Sequence, residues 1–265
     1  MTVGRLDRLK LTRGLIRLSW NKKNLYFLAN KRQGDLATTG SRAVRRSVFQ
    51  QQWIAKRETR AYHDADITER QINKLIPRDL PTSGGLSDLR KKENPGRIGN
   101  SENSKVNGAI LMYAQLESRI DFIVFRSHFA NSIWNARRLI LDGHVKLNGK
   151  RFKFPSHQVK EGDLITVDPK MICTLKPPKK TPESKDSKPD TNTPSKRGME
   201  YDFVPLPYQQ PFMFIPDYLE VNYKTCSTVF LRYPTINNSS CDLPSPFPPE
   251  LHAMAFLHYS KRGRY

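Results

Sequence analysis

Cysteine is scarce in this chain of 265 residues, occurring only as Cys173, Cys226 and Cys241. An odd number does not suit a disulfide framework, and the spacing lacks the close pairs of a zinc site, so the three read as free thiols in a reducing compartment. No apolar run of roughly 18 residues occurs, which argues against a membrane-spanning helix, and no short apolar block with a small-residue cleavage site suggests a secretory leader. A soluble intracellular protein without membrane insertion is expected. Missing too are a P-loop, a metal-ligand cluster and a nucleophile motif, so the sequence calls for no cofactor, no metal and no enzymatic centre. Acids are nearly absent at the start, where Asp7 stands alone before Asp35.

What the chain has instead is positive charge. Its formal net charge is +20, with 37% apolar residues, 26% charged residues and 19 prolines. A modest core with long polar segments is expected, together with a polyanionic partner: nucleic acid first, an anionic membrane surface second. Up to Arg60, 15 Lys and Arg stand against Asp7, Asp35 and Glu58, a local net of +12. Such a segment has the composition of a mitochondrial transit peptide, and equally that of a basic arm lying on nucleic acid. Within it Trp53, Ile54, Tyr62 and Ile67 make a sparse apolar face, while Arg42, Arg45, Arg46, Lys56, Arg57 and Arg60 project elsewhere.

Composition divides the chain into five stretches. Residues 1–79 are basic and helical in pattern; 80–108 combine Pro, Gly, Ser and Asn and read as a linker or insertion. Residues 109–170 are a compact module with its leading helix, 171–210 a Lys/Pro/Ser-rich stretch expected to be disordered or extended, and 211–265 a C-terminal segment packing on the helical region. In that last stretch YLEVNYKTCSTVFLRYP reads as one or two strands. Leu251, Met254, Ala255 and Leu257 fit either a short helix or an extended packed tail.

The module has the clearest pattern. Ile110, Leu111, Tyr113, Ala114, Leu116 and Ile120 form a helical apolar stripe, which Phe122, Ile123, Phe125, Arg126 and Phe129 continue as an amphipathic helix. Ser132 is the expected N-cap of a second helix running to Asp142, with Gly143 at its stop. Its inward face is Ile133, Ala136, Leu139 and Ile140, leaving Arg137 and Arg138 toward the other side. The period then drops to two in GHVKLNGKRF, Gly143 to Phe152, where Asn148-Gly149 supplies the positive-φ pair of a tight hairpin turn. Gly162-Asp163 turns the chain into a third strand, Leu164 to Val167.

Two helices, a basic hairpin and a Gly-Asp turn in that order resemble the small RNA-binding module shared by ribosomal protein S-four, some pseudouridine synthases and bacterial-type tyrosyl-tRNA synthetases. The resemblance rests on the RIDF run at Arg119 to Phe122, Arg126, Phe129-Ala130, ARRLI at Ala136 to Ile140, GHVKLNGKR at Gly143 to Arg151, Pro155-Ser156, and VKEGDLITV at Val159 to Val167. Ile133 and Asn135 stand where the family often has Arg and Glu. Outside the module, AKRETRAYHDADITERQ at Ala55 to Gln71 is similar to the helical stretch of ribosomal protein S-four, and PDYLEVNYKTCSTVFLRYP with the closing HYSKR to the piece that returns to its helical domain. RAYH, FRSHFA and YLEVNYKTCS look most like the fungal mitochondrial branch.

The resemblance implies an α+β fold: a mainly helical part with an inserted ααβββ RNA-binding module, the alpha-L motif, and a C-terminal segment returning to the helices. It also implies a structural constituent of the small ribosomal subunit in the mitochondrial matrix, with small-subunit ribosomal RNA and neighbouring ribosomal proteins as partners. An early role in subunit assembly and a place near the path by which mRNA enters follow from the family alone. The candidate RNA-binding residues are Arg119, Arg126, Arg137, Arg138, His144, Lys146, Asn148, Lys150 and Arg151 in the module, with Arg42, Arg45, Arg46, Lys56, Arg57 and Arg60 before it. Forked Arg side chains suit phosphate bidentately, Lys acts as a point charge, and Asn148 and His144 reach sugar or base edges.

Plainer readings stand beside these. A basic hairpin is often a solvated tip, Asn148-Gly149 is first a turn requirement, and Arg119 with Asp121 or Asp142 reads also as a structural ion pair. His63, His128, His157, His252 and His258 read as packing or surface residues. GRLDRL, Gly4 to Leu9, imitates the catalytic-Asp motif of pseudouridine synthases, yet Asp7 lies in an arginine-rich arm with no surrounding domain to hold a flipped uridine. An RNA-binding assembly or quality-control factor outside the ribosome would use the same module.

Overall fold

The computed structural model describes residues 15–30, 46–64, 68–75, 108–172, 174–176, 202–234 and 243–262. They fall into two compact units, one taking residues 20–22 and 119–232, the other 15–19, 23–118 and 233–262.

The second of these units is helical. Its helices are α1 (Lys22–Asn30, whose first residue is assigned to the other unit), α2 (Val48–Asp64), α3 (Glu69–Leu75), α4 (Gly108–Glu117) and, from the far end of the chain, α7 (Pro249–Arg262). Two starts are written in the sequence as reciprocal caps. Ser47 and Gln50 exchange backbone-to-side-chain hydrogen bonds at α2, and Thr68 and Gln71 do the same at α3. The buried residues Ala55, Thr59, Tyr62 and His63 recur with helical spacing on α2 and face α7, which offers Leu251, His252, Ala255 and Tyr259. The expected face through Trp53 is therefore rotated: Tyr62 is buried, Trp53 is 40% exposed, and Ile67 lies outside the described residues. The tail around Leu251 is a helix.

The Tyr113 ring of α4 lies tilted against His63 (4.5 Å) and meets His252 edge-on at 4.7 Å, while His63 Nδ1 lies 3.4 Å from Glu117 Oε1. Burial holds the His252 imidazole down at about 3, helped by His63 and opposed by Glu117. Burial likewise raises the Tyr113 phenol well above its usual range.

The first unit is built on two short helices, a five-stranded sheet and a two-stranded one: α5 (Ile120–Arg126), α6 (Ile133–Leu141), β1 (Val145–Leu147), β2 (Lys150–Arg151), β3 (Leu164–Val167), β4 (Leu175–Lys176), β5 (Asp202–Phe203), β6 (Leu219–Asn222) and β7 (Ser227–Phe230). All seven residues of α5 are buried, so it is not the amphipathic helix expected. It also stops at Arg126 rather than running to Phe129. His128 takes φ +62, and the bonds His128 N to Phe125 O and Phe129 N to Val124 O close the helix as a C-terminal glycine ordinarily would. The cost of that backbone in a non-glycine residue is offset by a bond between His128 Nδ1 and Tyr223 Oη at 2.9 Å and by stacking on Phe203. Helix α6 follows the sequence closely: Ser132 Oγ accepts the Asn135 N–H, Ile133, Ala136, Leu139 and Ile140 are buried, and Gly143 closes the end at φ +79.

The five-stranded sheet is antiparallel, in the order β2-β1-β3-β7-β6. Its central strand β3 pairs with β1 on one side and with the C-terminal strand β7 on the other. Residues after 211 therefore do not all pack on the helices; Leu219–Phe230 completes this sheet, because β3 would otherwise present an unpaired edge. The Lys/Pro/Ser-rich stretch is rooted at both ends: β4 pairs with β5 through Leu175↔Phe203 and Lys176↔Asp202, and Val204 N bonds to Thr174 O. Among the described residues no helix is long and apolar enough to cross a membrane.

Candidate nucleic-acid interface

The structure separates the basic residues of the module into two sets. The first is internal. Asp121 has no exposed side-chain surface, and Arg119 grips it with two bonds, Nε to Oδ1 at 3.1 Å and Nη2 to Oδ2 at 2.8 Å. Arg137 reaches the same carboxylate from α6, Nε to Oδ2 at 2.9 Å, and Arg119 Nη2 also donates to Ser156 Oγ. Two cations sharing one buried acid fix α6 and the chain around Ser156 against the start of α5. Arg126 is buried as well, its guanidinium 6.0 Å from the Phe125 ring centroid. It adds to burial in holding the neighbouring His128 down at about 4. Arg119, Arg126 and Arg137 thus sit where packing, not solvent, receives their side chains.

Asn148 is exposed, but its side chain is engaged within the module. It takes φ +50 beside Gly149 at +82, which makes the turn, and its amide then bridges to the third strand. Asn148 Nδ2 donates to Asp163 Oδ1 at 2.8 Å, and the Leu164 N–H donates to Asn148 Oδ1 at 2.9 Å. Its polar atoms are occupied in joining two turns. His144 pairs through Nδ1 with Asp168 Oδ2 at 3.2 Å, both side chains remaining partly exposed.

The second set faces solvent. Arg138 keeps 61% of its side-chain surface exposed and has a loose partner in Asp142 at 3.6 Å. Lys146 is half-buried on β1, while Lys150, Arg151, Lys153 and Lys160 are exposed on and after the hairpin. Lys153, absent from the candidates read from sequence, lies against the end of α6, with its Cε 3.7 Å from the position a Cβ would take on Gly143. A cation there complements the negative end of the helix.

In the helical unit Lys56 is buried, ion-paired to Glu69 and set over the Trp53 ring at 4.2 Å. Arg60 reaches the same Glu69 at 3.4 Å, and Arg57, 44% exposed, pairs with Glu58 at 3.2 Å. Arg46 lies half-buried just before α2, and Arg42 and Arg45 lie outside the described residues.

The S4 domain family matches residues 118–165. Over nearly the whole chain, the small ribosomal subunit protein uS4m of Schizosaccharomyces pombe is 35% identical across 280 aligned positions, which cover 95% of this chain and 80% of that protein. The chain belongs to the mitochondrial uS4 family. Bacterial uS4 proteins align more weakly: that of Rickettsia bellii is 29% identical over 170 residues, covering 64% of this chain and 68% of its own length. That of Cereibacter sphaeroides is 26% identical over 218 residues, 82% of this chain and 80% of its own. The S4 match encloses both the internal pair around Asp121 and the outward cations Arg138 to Lys160, and it ends within β3. The uS4 likeness extends beyond it on both sides, as the helical unit and the β6-β7 hairpin do.

Proposed function

We propose that this protein is a structural constituent of the mitochondrial small ribosomal subunit and binds its ribosomal RNA through the module of α5, α6 and β1 to β3, an ααβββ RNA-binding module of the alpha-L type. The observation that carries the reading is the outward set of cations on one S4 domain, Arg138, Lys146, Lys150, Arg151 and Lys153, on a base stiffened by the buried Asp121 cluster. Structured RNA offers phosphates and 2′-hydroxyls over a shallow groove, and a rigid helix and hairpin bearing cations recognise that shape. Arg42, Arg45, Arg46 and Arg57 in the N-terminal region add phosphate contacts, neighbouring ribosomal proteins cover part of the remaining surface, and mRNA passes nearby. The protein works in the matrix, where it joins the subunit early in assembly. It is not an enzyme: its relatives are named as ribosomal proteins, and replacing Asp7 by Ala is expected to leave RNA modification unchanged.

Sedimentation tests the reading. The protein is expected to travel with mature mitochondrial small subunits through a high-salt wash and to crosslink to their RNA in intact mitochondria. Recovery only from precursor particles or free pools would make it an assembly or quality-control factor instead.

A further inference from the structure

Helix α6 has two apolar stripes, and the core uses one. Ile133, Ala136, Leu139 and Ile140 are buried, whereas Trp134, at 62% exposure, and Leu141, at 57%, lie on the opposite side with Arg138 between them. Positions 134, 138 and 141 follow the i, i+4, i+7 spacing of a single helical face. The other two tryptophans are engaged: Trp20 is buried and stacked on Phe125 at 5.3 Å, and the Trp53 ring lies under Lys56 and meets His258 edge-on. The Trp134 indole makes no ring contact and no hydrogen bond among the described residues. A large indole held outward on a rigid helix therefore contributes little to packing.

We infer that Trp134 is a stacking platform for an unpaired base of the bound RNA, with Arg138 holding the adjoining phosphate. This rests on the RNA-binding reading above and adds a contact of a different kind to its cations. Charge chooses the occupant: the middle of the face is a guanidinium, and Lys153 stands at the end of the same helix. Among the described residues Arg138 is held only by an exposed i, i+4 pair with Asp142, a bond weak enough to be exchanged for phosphate. Side chains at i and i+4 stand next to each other on a helix, within the span of a single nucleotide. Bases inside a duplex present no free face, so the partner is a bulged or looped base, which an aromatic ring accepts whatever its identity.

The test uses the full-length chain and its own mitochondrial small-subunit rRNA transcribed in vitro, titrated across a salt series. Trp134→Ala weakens binding about tenfold with the salt slope unchanged, since no cation is lost. Arg138→Gln lowers that slope by about 0.7 to 0.9. Trp134→Phe keeps most of the affinity, Trp134→Leu loses it as Ala does, and the tryptophan emission that RNA quenches in the unaltered chain is missing from Trp134→Phe. Thermal melts of each variant are expected to match the unaltered chain, because the side chain is outside the core. Binding by Trp134→Ala within about twofold of the unaltered chain, or full affinity in Trp134→Leu, overturns the inference while leaving RNA binding intact. The second result would mark an apolar protein contact. Failure of the unaltered chain to bind the rRNA overturns both this inference and the function it rests on.

Discussion

Arg137 Nε donates to Asp121 Oδ2 at 2.9 Å, joining the two helices of the module through a carboxylate that has no exposed surface. Arg119 bonds both oxygens of that group, so a single acid is shared by two largely buried guanidinium groups.

Removing that acid strands both cations. Asp121→Asn is expected to destabilise the protein by about 3 to 5 kcal/mol, the usual cost of leaving a buried charge without its partner. Urea denaturation checks this; a loss below about 1 kcal/mol would mean that solvent reaches the cluster.

The same geometry divides the basic residues by what their loss does. Replacing Arg137 and Lys150 together by Gln is expected to lower the salt slope of RNA binding by about 0.7 to 0.9, the value of one phosphate contact rather than two. Lys150 is exposed on the hairpin, whereas the Arg137 side chain is 17% exposed and committed to Asp121. The Arg137 half of the effect should appear in stability, measured on the two single variants.

Asn148→Asp tests the bridge between the turns. The substitution keeps an acceptor for the Leu164 N–H but replaces the amide that donates to Asp163 with a second carboxylate. A loss of about 1 to 2 kcal/mol in urea is expected at neutral pH, shrinking as acid protonates one of the pair.

Acid should also weaken the fold through two imidazoles. His128 is held down at about 4 and His252 at about 3, each chiefly by burial, while in the unfolded chain both bind protons near the ordinary 6.5. The unfolded state then holds the extra protons below pH 6.5, so the stability is present above that pH and falls as pH drops toward 4. Each contributes at most about 1.4 kcal/mol per pH unit. Denaturation midpoints at pH 7.5 and 5.5 measure the sum, and His252→Gln, which can keep the bond to Ser245, should flatten part of the dependence.

Much of the module was legible because its signals are local. Ser132 and Gly143 bracket α6 as caps, the spacing of Ile133, Ala136, Leu139 and Ile140 gives its buried side, and Asn148-Gly149 fixes the hairpin. Long-range pairing was not legible in this way. Nothing near Arg137 says that its partner is Asp121, 16 positions earlier, and a buried arginine carries the same letter as one on RNA. Helix α5 defeated periodicity because it is covered all round, and its end was hidden by His128 standing where glycine is usual. Trp134 was within reach, since it falls opposite the core stripe of α6, but an apolar letter on a helix is first read as packing.

The pairing of β3 with β7 has a consequence for any attempt to excise the RNA-binding part. Leu164, Ile165 and Thr166 are bonded in register to Val229, Thr228 and Ser227, and Gly162 N and Asp163 O close on Phe230. A fragment ending near residue 168, where sequence likeness to the S4 domain runs out, would leave β3 as a bare edge and invite strand exchange between copies. The family match occupies some fifty residues here, but a piece meant to keep this sheet paired has to reach at least Phe230.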